Sequence, residues 1–189
     1  MKQTEIVFII ATILLWILVI ASWIIFSKAQ SDNHSGKENF SFIKLIGTSL
    51  IIYLPLLTGR LISTPLFQTS LTSGLIGLTF CILGITIMLW ARQHLAKNWS
   101  GNIILQTEHT ITKDGPYKFV RHPIYSGGLL AMLGSAIVVG QIFGFAWALL
   151  CSVGLIMKIR QEEILLSSKF PTEYSAYKKQ TKTLIPFVW

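Results

Sequence analysis

The chain has 189 residues, of which 52% are hydrophobic and 13% charged, with a formal net charge of +8. A soluble domain carries about 25% charged residues, so the composition excludes an ordinary water-soluble fold. The basic residues form no compact stripe but sit between long apolar runs, which removes nucleic acid as the partner of the positive charge.

Five segments are apolar enough to cross a bilayer, whose core takes about twenty helical residues. The first, residues 6–26, reads IVFIIATILLWILVIASWIIF without a single charge. Ser27-Lys28-Ala29 resembles a signal-peptide cleavage site, but the apolar stretch exceeds the usual length of about 7–15 residues and Glu5 spoils a basic leader. It is therefore read as a retained span. The polar loop 27–41, with Ser, Asn, Asp and Gly, has little to pack and carries no assigned function. A second span covers residues 42–62, with Lys44 and Arg60 near its ends, where long side chains reach the headgroups. Residues 71–91 make a third. Residues 123–139 and 142–157 make a fourth and fifth, each slightly short and joined only by the turn at Gly140-Gln141. That spacing predicts a tight helical hairpin, with the last helix running on past the membrane as KIRQEEILLSSKF. The expected fold is all-α and polytopic, one membrane-embedded domain over 1–189. Residues 1–91 supply three spans, and residues 92–189 supply the last two and the cytoplasmic catalytic segments.

With five spans, alternate loops share a side. All of the sixteen basic residues except Lys2 and Arg60 then fall on one side. The positive-inside rule makes that side cytoplasmic, so the N-terminus is expected outside and the C-terminus in the cytoplasm. Cys81 and Cys151 lie inside apolar stretches and read as buried thiols. His34 falls in the polar loop, while His94, His109 and His122 are widely separated, so no metal site is expected.

Chemistry gathers in two places. In DGPYKFVRHPIYSGG, residues 114–128, Asp-Gly-Pro signals a turn and Pro123 suits the first turn of a helix. His122 then sits at a helix entrance beside free backbone N–H groups that favour an anion or a ligand oxygen. Gly127 and Gly128 allow close approach to the backbone. The same segment also reads as a helix start with an interfacial Tyr/Arg belt and small residues for helix packing. The second place is Glu162-Glu163, just after the fifth span, with Lys158 one turn earlier on the same face for an intrahelical ion pair. A solvated juxtamembrane helix has that pattern too. Both segments emerge on the same side of one hairpin, so together they can frame a single pocket. FPTEYSAYKK places Phe170, Tyr174 and Tyr177 at helical spacing, an aromatic face for the bundle or the interface. Phe187 and Trp189 are suited to anchor the tail at the headgroups.

GPYKFVRHPIY, a helical hairpin, then EE and FPTEYSAYKK, in that order, closely resemble the isoprenylcysteine carboxyl methyltransferase family, with phospholipid methyltransferases as more distant relatives. The resemblance runs from about Asn98 to the end; the first two spans match only in being apolar. It implies methyl transfer from S-adenosyl-L-methionine in a membrane-embedded site. Carried over residue by residue, the cofactor-binding positions are His109, Thr110, Ile111 and Thr112, then Tyr117, then His122, Pro123, Ile124 and Tyr125, and finally Glu162, with Glu163 beside it. One turn before that Glu the family places an Arg facing the substrate carboxylate. Here Lys158 stands there, keeping the charge but losing the bidentate fork, and Arg160 is the other candidate. Pro171 stands where the family usually has Gly.

The implied partners are the lipid bilayer and a lipid-like or prenylated acceptor. Beside the prenylcysteine carboxylate stand a phospholipid amine and a small thiol. Two other classes fit the helical layout: a nicotinamide-dependent membrane reductase, and a non-catalytic scaffold. Composition leaves the acceptor and the oligomeric state open.

Overall fold

A computed structural model of the chain describes residues 3–29, 47, 49–53, 64–95 and 111–189. Among them the secondary structure is helical, with two isolated bridges, Pro65 to Gln141 antiparallel and Val120 to Lys182 parallel. Helix α1 spans Gln3–Ala29, α2 Leu71–Leu95, α3 Pro123–Val139, α4 Ile142–Lys169 and α5 Pro171–Gln180. Three of these, α1, α2 and α4, are long and apolar enough to cross a membrane, and α3 is a shorter apolar helix. The expected second span, 42–62, lies outside the described residues except for Gly47 and the 3-10 turn Ser49–Tyr53.

The helix limits follow local chemistry. Ser70 and Ser73 cap α2 reciprocally: the Ser73 N–H donates to Ser70 Oγ at 3.1 Å, and the Ser70 N–H to Ser73 Oγ at 2.8 Å. The hairpin turn is as tight as the spacing predicts. Gly140 ends α3 at φ 68°, a left-handed conformation that costs glycine nothing, and its N–H donates to Ala136 O. The segment before α2 clamps this turn, with Leu66 N–H on Gly140 O at 2.9 Å and Ile142 N–H on Thr64 O at 3.1 Å. The last long helix does run on through KIRQEEILLSSK, and Phe170-Pro171 ends it. Proline cannot continue a helix but is pre-set to begin one, so the same dipeptide opens α5.

Packing is closest between α2 and α3. A Cβ on Gly77 would stand 2.7 Å from Gly134 O, and one on Gly84 would collide with Gly127 O. Small residues bring two backbones into contact, as membrane helices require where hydrophobic force between them is weak. α1 lays Phe8, Thr12, Trp16, Val19 and Trp23 inward at helical spacing and leaves Val7, Ile10, Leu14 and Leu18 outward. Trp16 Nε1 donates to Ser135 Oγ at 2.9 Å, which keys α1 to α3 through a buried polar contact. α4 is held differently. Among its residues only Gly144, Leu155 and Ile159 are buried, while Leu149, Leu150, Val153, Met157 and Ile164 are exposed, an apolar face of the kind lipid would cover.

Candidate active site

The turn before α3 forms as its sequence dictates. Gly115 adopts φ 59° with His94 packed so closely on it that a Cβ would collide with the imidazole. Pro116 and Tyr117 follow in a 3-10 turn, Gly115–Lys118, closed by Tyr117 N–H on Asp114 O at 3.1 Å. Tyr117 is buried, and its carbonyl accepts a hydrogen bond from the Tyr177 hydroxyl of α5 at 2.7 Å. Burial pushes the Tyr177 phenol up to about 12, so it remains a donor at neutral pH.

The polar ends flanking the hairpin meet. His122 caps the start of α3 and stands between the two adjacent carboxylates of α4, Nδ1 3.5 Å from Glu162 Oε2 and Nε2 3.5 Å from Glu163 Oε1. The second approach is an ion pair rather than a hydrogen bond, because the buried Nε2 has no aligned acceptor. Burial alone pulls the His122 pKa down; Glu162 and Glu163 more than offset it, so the imidazole stands above its ordinary value. Tyr125, one turn into α3, donates its hydroxyl to Glu162 Oε1 at 2.5 Å and stacks on His122 with ring centroids 5.7 Å apart. Lys158 Nζ lies 5.8 Å from the centre of the Tyr125 ring, within cation–π range.

Glu163 serves another set of partners. Arg121 Nε donates to its Oε1 at 2.8 Å, and Lys178 Nζ of α5 reaches Oε2 at 3.4 Å. Lys178 also covers the Tyr174 ring at 5.6 Å. Successive residues project about 100° apart around a helix, so neighbouring glutamates can face different groups across one pocket wall.

Of the positions singled out from the sequence, Tyr117, His122, Pro123, Ile124 and Tyr125 are buried around this cluster or in the turn that leads to it. Glu162 is in the cluster itself. Ile111 and Thr112 are half-buried just ahead of Lys113, which pairs with Glu173 at 2.7 Å. His109 and Thr110 lie outside the described residues. The two proposed substrate cations part company. Lys158 faces Tyr125, whereas Arg160 is exposed on the outer face of α4, as a two-residue offset of about 200° around a helix demands. Arg160 is not brought to the cluster.

Sequence reasoning passed over Arg121, read as part of an interfacial belt, and Lys178. The signal for Lys178 was present: it follows Tyr174 by four residues and so shares the buried face of α5. No periodicity could have announced the role of residues 181–184. They run beside residues 119–122, with Arg121 N–H on Lys182 O at 2.8 Å and His122 N–H on Thr183 O at 3.1 Å.

The chain is similar to known proteins in sequence and in fold. The sequence model of the isoprenylcysteine carboxyl methyltransferase (ICMT) family matches residues 75–168, about half of the chain and most of α2 through α4. The chain is 28% identical over 160 residues to the cobalt-zinc-cadmium resistance protein CzcN of Cupriavidus metallidurans, covering 82% of this chain and 67% of that one. It is 33% identical over 92 residues to the human protein-S-isoprenylcysteine O-methyltransferase, covering 46% and 32% of the two chains. To protein-S-isoprenylcysteine O-methyltransferase B of Arabidopsis thaliana it is 29% identical over 115 residues, covering 59% and 58%. The chain thus spans from about a third to two thirds of the length of these relatives. A solved structure of the eukaryotic intramembrane Ras methyltransferase ICMT superposes with a TM-score of 0.56 at 24% identity, over 83% of this chain and 55% of that one, which establishes a shared fold. The ordered motif, the hairpin and the paired glutamates all fall inside the matched stretch, and this chain belongs to the isoprenylcysteine carboxyl methyltransferase family.

Proposed function

We propose that the chain is a membrane methyltransferase that uses S-adenosyl-L-methionine and methylates a lipid-like acceptor, foremost the carboxylate of an isoprenylcysteine-type substrate. The observation that carries this reading is the convergence of His122, Tyr125 and Glu162 on one polar cluster at the open end of the hairpin. The residues present suit a cationic, polar donor. Glu162 offers a carboxylate already oriented by the Tyr125 hydroxyl, and two buried groups, His122 Nε2 and the Tyr174 hydroxyl, have no hydrogen-bond partner among the described residues. Ile111, Thr112, Tyr117, Pro123 and Ile124, with His109 and Thr110, complete the set assigned to the cofactor by family likeness.

S-adenosylmethionine, when bound, supplies a methyl already activated on a sulfonium, so the protein needs no nucleophile of its own. What the chain contributes is alignment, which is worth roughly 7–11 kcal/mol of a barrier when it is complete. A carboxylate acceptor needs no general base either. Lys158, rather than Arg160, is the cation of α4 assigned to hold it, through one ammonium in place of a guanidinium fork. An amine or thiol acceptor would have to lose a proton, and Glu162, beside the His122 imidazolium, would then receive it. The relatives' names point to different roles, one a metal-resistance protein and the others isoprenylcysteine methyltransferases, so the acceptor is the open variable.

The reading includes five crossings with the N-terminus outside and the catalytic segments cytoplasmic. A water-soluble donor then enters from the cytoplasm and an apolar acceptor from the bilayer.

Calorimetric titration of S-adenosylmethionine into the detergent-purified chain tests the site. Binding is expected for the wild type and is weakened on the order of a hundredfold, to below calorimetric detection at ordinary concentrations, in Glu162→Ala and His122→Ala with the fold intact. Unchanged affinity in both variants refutes the assignment, and binding of NADPH instead would favour a reductase. A tritiated methyl-transfer assay over prenylcysteine analogues, amino lipids and thiols names the acceptor.

A further inference from the structure

Each of the three nitrogens of the Arg121 guanidinium donates a hydrogen bond within the protein. Nε donates to Glu163 Oε1 at 2.8 Å, Nη1 to Thr181 O at 2.5 Å and Nη2 to Thr183 Oγ1 at 2.9 Å. Its side chain is only 8% exposed. Two of the three anchors belong to residues 181–184, and the same segment fixes the backbone of Arg121 and His122 and receives the Ser126 hydroxyl on Leu184 O at 2.6 Å. Those residues lie beyond the stretch matched by the family's sequence model, which ends at residue 168.

We propose that Arg121, held by residues 181–184, is a positioning residue: it fixes the Glu163 carboxylate against His122 and does not itself touch the cofactor. The geometry supports this division of labour. Each nitrogen of the guanidinium already has a protein acceptor, and a planar fork held at three points cannot swing toward a ligand without breaking charge-assisted bonds. Glu163, in contrast, needs holding. Without Arg121 it would keep only His122 at 3.5 Å and the half-exposed Lys178 at 3.4 Å, neither of them a short charged hydrogen bond. The tail therefore acts on the site at second hand, through Arg121 to Glu163 to His122.

The proposal rests on the assignment of the cluster as the cofactor site, and two readouts separate the two ideas. The first is the titration of His122 in the intact chain without any cofactor, followed by the imidazole carbon signals of labelled histidine and identified with His122→Asn. The groups facing this imidazole are Glu162 and Glu163 of α4 and Tyr125 of α3, with Arg121 and Lys178 one step further on Glu163. In Arg121→Gln the uncompensated Glu163 should move the His122 midpoint to higher pH, whereas Arg121→Lys, which keeps the charge, should leave it near the wild-type value. Thr183→Val, which removes one anchor and preserves shape, should move it upward by less.

The second readout is cofactor affinity. Loss of a hydrogen bond to a charged group weakens binding about tenfold in Arg121→Gln, with partial recovery in Arg121→Lys. Thermal unfolding of each variant reports the fold, and if Arg121→Gln does not fold, Thr183→Val decides. A His122 midpoint that stays put in every folded variant overturns the proposal, whatever the cofactor does. A shifted midpoint in a chain whose wild type binds no S-adenosylmethionine sustains the positioning network and overturns the cofactor assignment alone.

Discussion

Along the seam of α2 and α3, contact is made by residues with nothing to offer but their backbones: Gly77 against Gly134 and Gly84 against Gly127. Around the first turn of α3 the contact is made by the longest polar side chains in the region, Arg121, His122, Tyr125, Glu162, Glu163 and Lys178. The first region resists change because there is no space; the second because every charge has a counter-charge. A steric seam fails by adding an atom, and an electrostatic cluster fails by removing one. The two should therefore answer oppositely to the same kind of substitution.

The sharpest break is expected in the cluster. Glu162→Ala removes the carboxylate that both Tyr125 and His122 face, and should weaken S-adenosylmethionine binding by roughly 3 kcal/mol, on the order of a hundredfold, in calorimetry. In the seam, Gly84→Val should cost about 3 kcal/mol in unfolding, read as a lowered melting temperature in detergent, because the obstacle is the Gly127 carbonyl and cannot rotate away. Gly154→Ala on α4, where a Cβ would meet nothing within 4 Å, is the matched control and should be silent. Lys158→Ala should spare cofactor affinity and lower kcat about tenfold, close to 1.4 kcal/mol of barrier, in the methyl-transfer assay. Equal loss of affinity and turnover would move Lys158 to the cofactor side.

Acidity sharpens the comparison further. The His122 pKa is raised above 6.5 in the folded protein, so the stabilisation it brings is fully present below about pH 6.5 and is lost as pH rises through the folded value. The melting temperature should fall as pH rises above about 6.5 and through the raised folded value, and His122→Asn should flatten that slope. The smallest effect is expected at the Lys113–Glu173 pair, whose side chains are 43% and 47% exposed; Lys113→Ala should change stability by no more than about 0.5 kcal/mol.

Much of this was readable in the residues. The hairpin could be placed to the residue because Gly140 and Pro123 punctuate it, and the run of α4 beyond its apolar part was visible in the continuing helical pattern of KIRQEEILL. His122 and Glu162 could be paired because both leave the same hairpin on the same side. Arg121 could not be assigned, since its partners, Glu163, Thr181 and Thr183, are 42 to 62 residues away and belong to segments with no shared period. Arg160 stands apart for a simpler reason: charge and proximity in sequence favoured it, and the helical angle turns it outward, away from Tyr125 and Glu162. The second expected span, with His109 and Thr110, falls outside the described residues.

The glycine pairs have one more effect. Gly77 and Gly84 on α2 are spaced as Gly127 and Gly134 on α3, seven residues apart, so each contact repeats after two helical turns. Sliding one helix past the other would drive side chains into both notches at once, leaving the pair free to tilt only as a unit. α4 meets its neighbours less closely: a Cβ on Gly144 would stand 3.3 Å from the Ile52 side chain and 3.5 Å from the Ala136 backbone, and Gly154 stands open. A change of tilt, the usual answer of a helix to a bilayer of different thickness, would therefore be taken by α2 and α3 together.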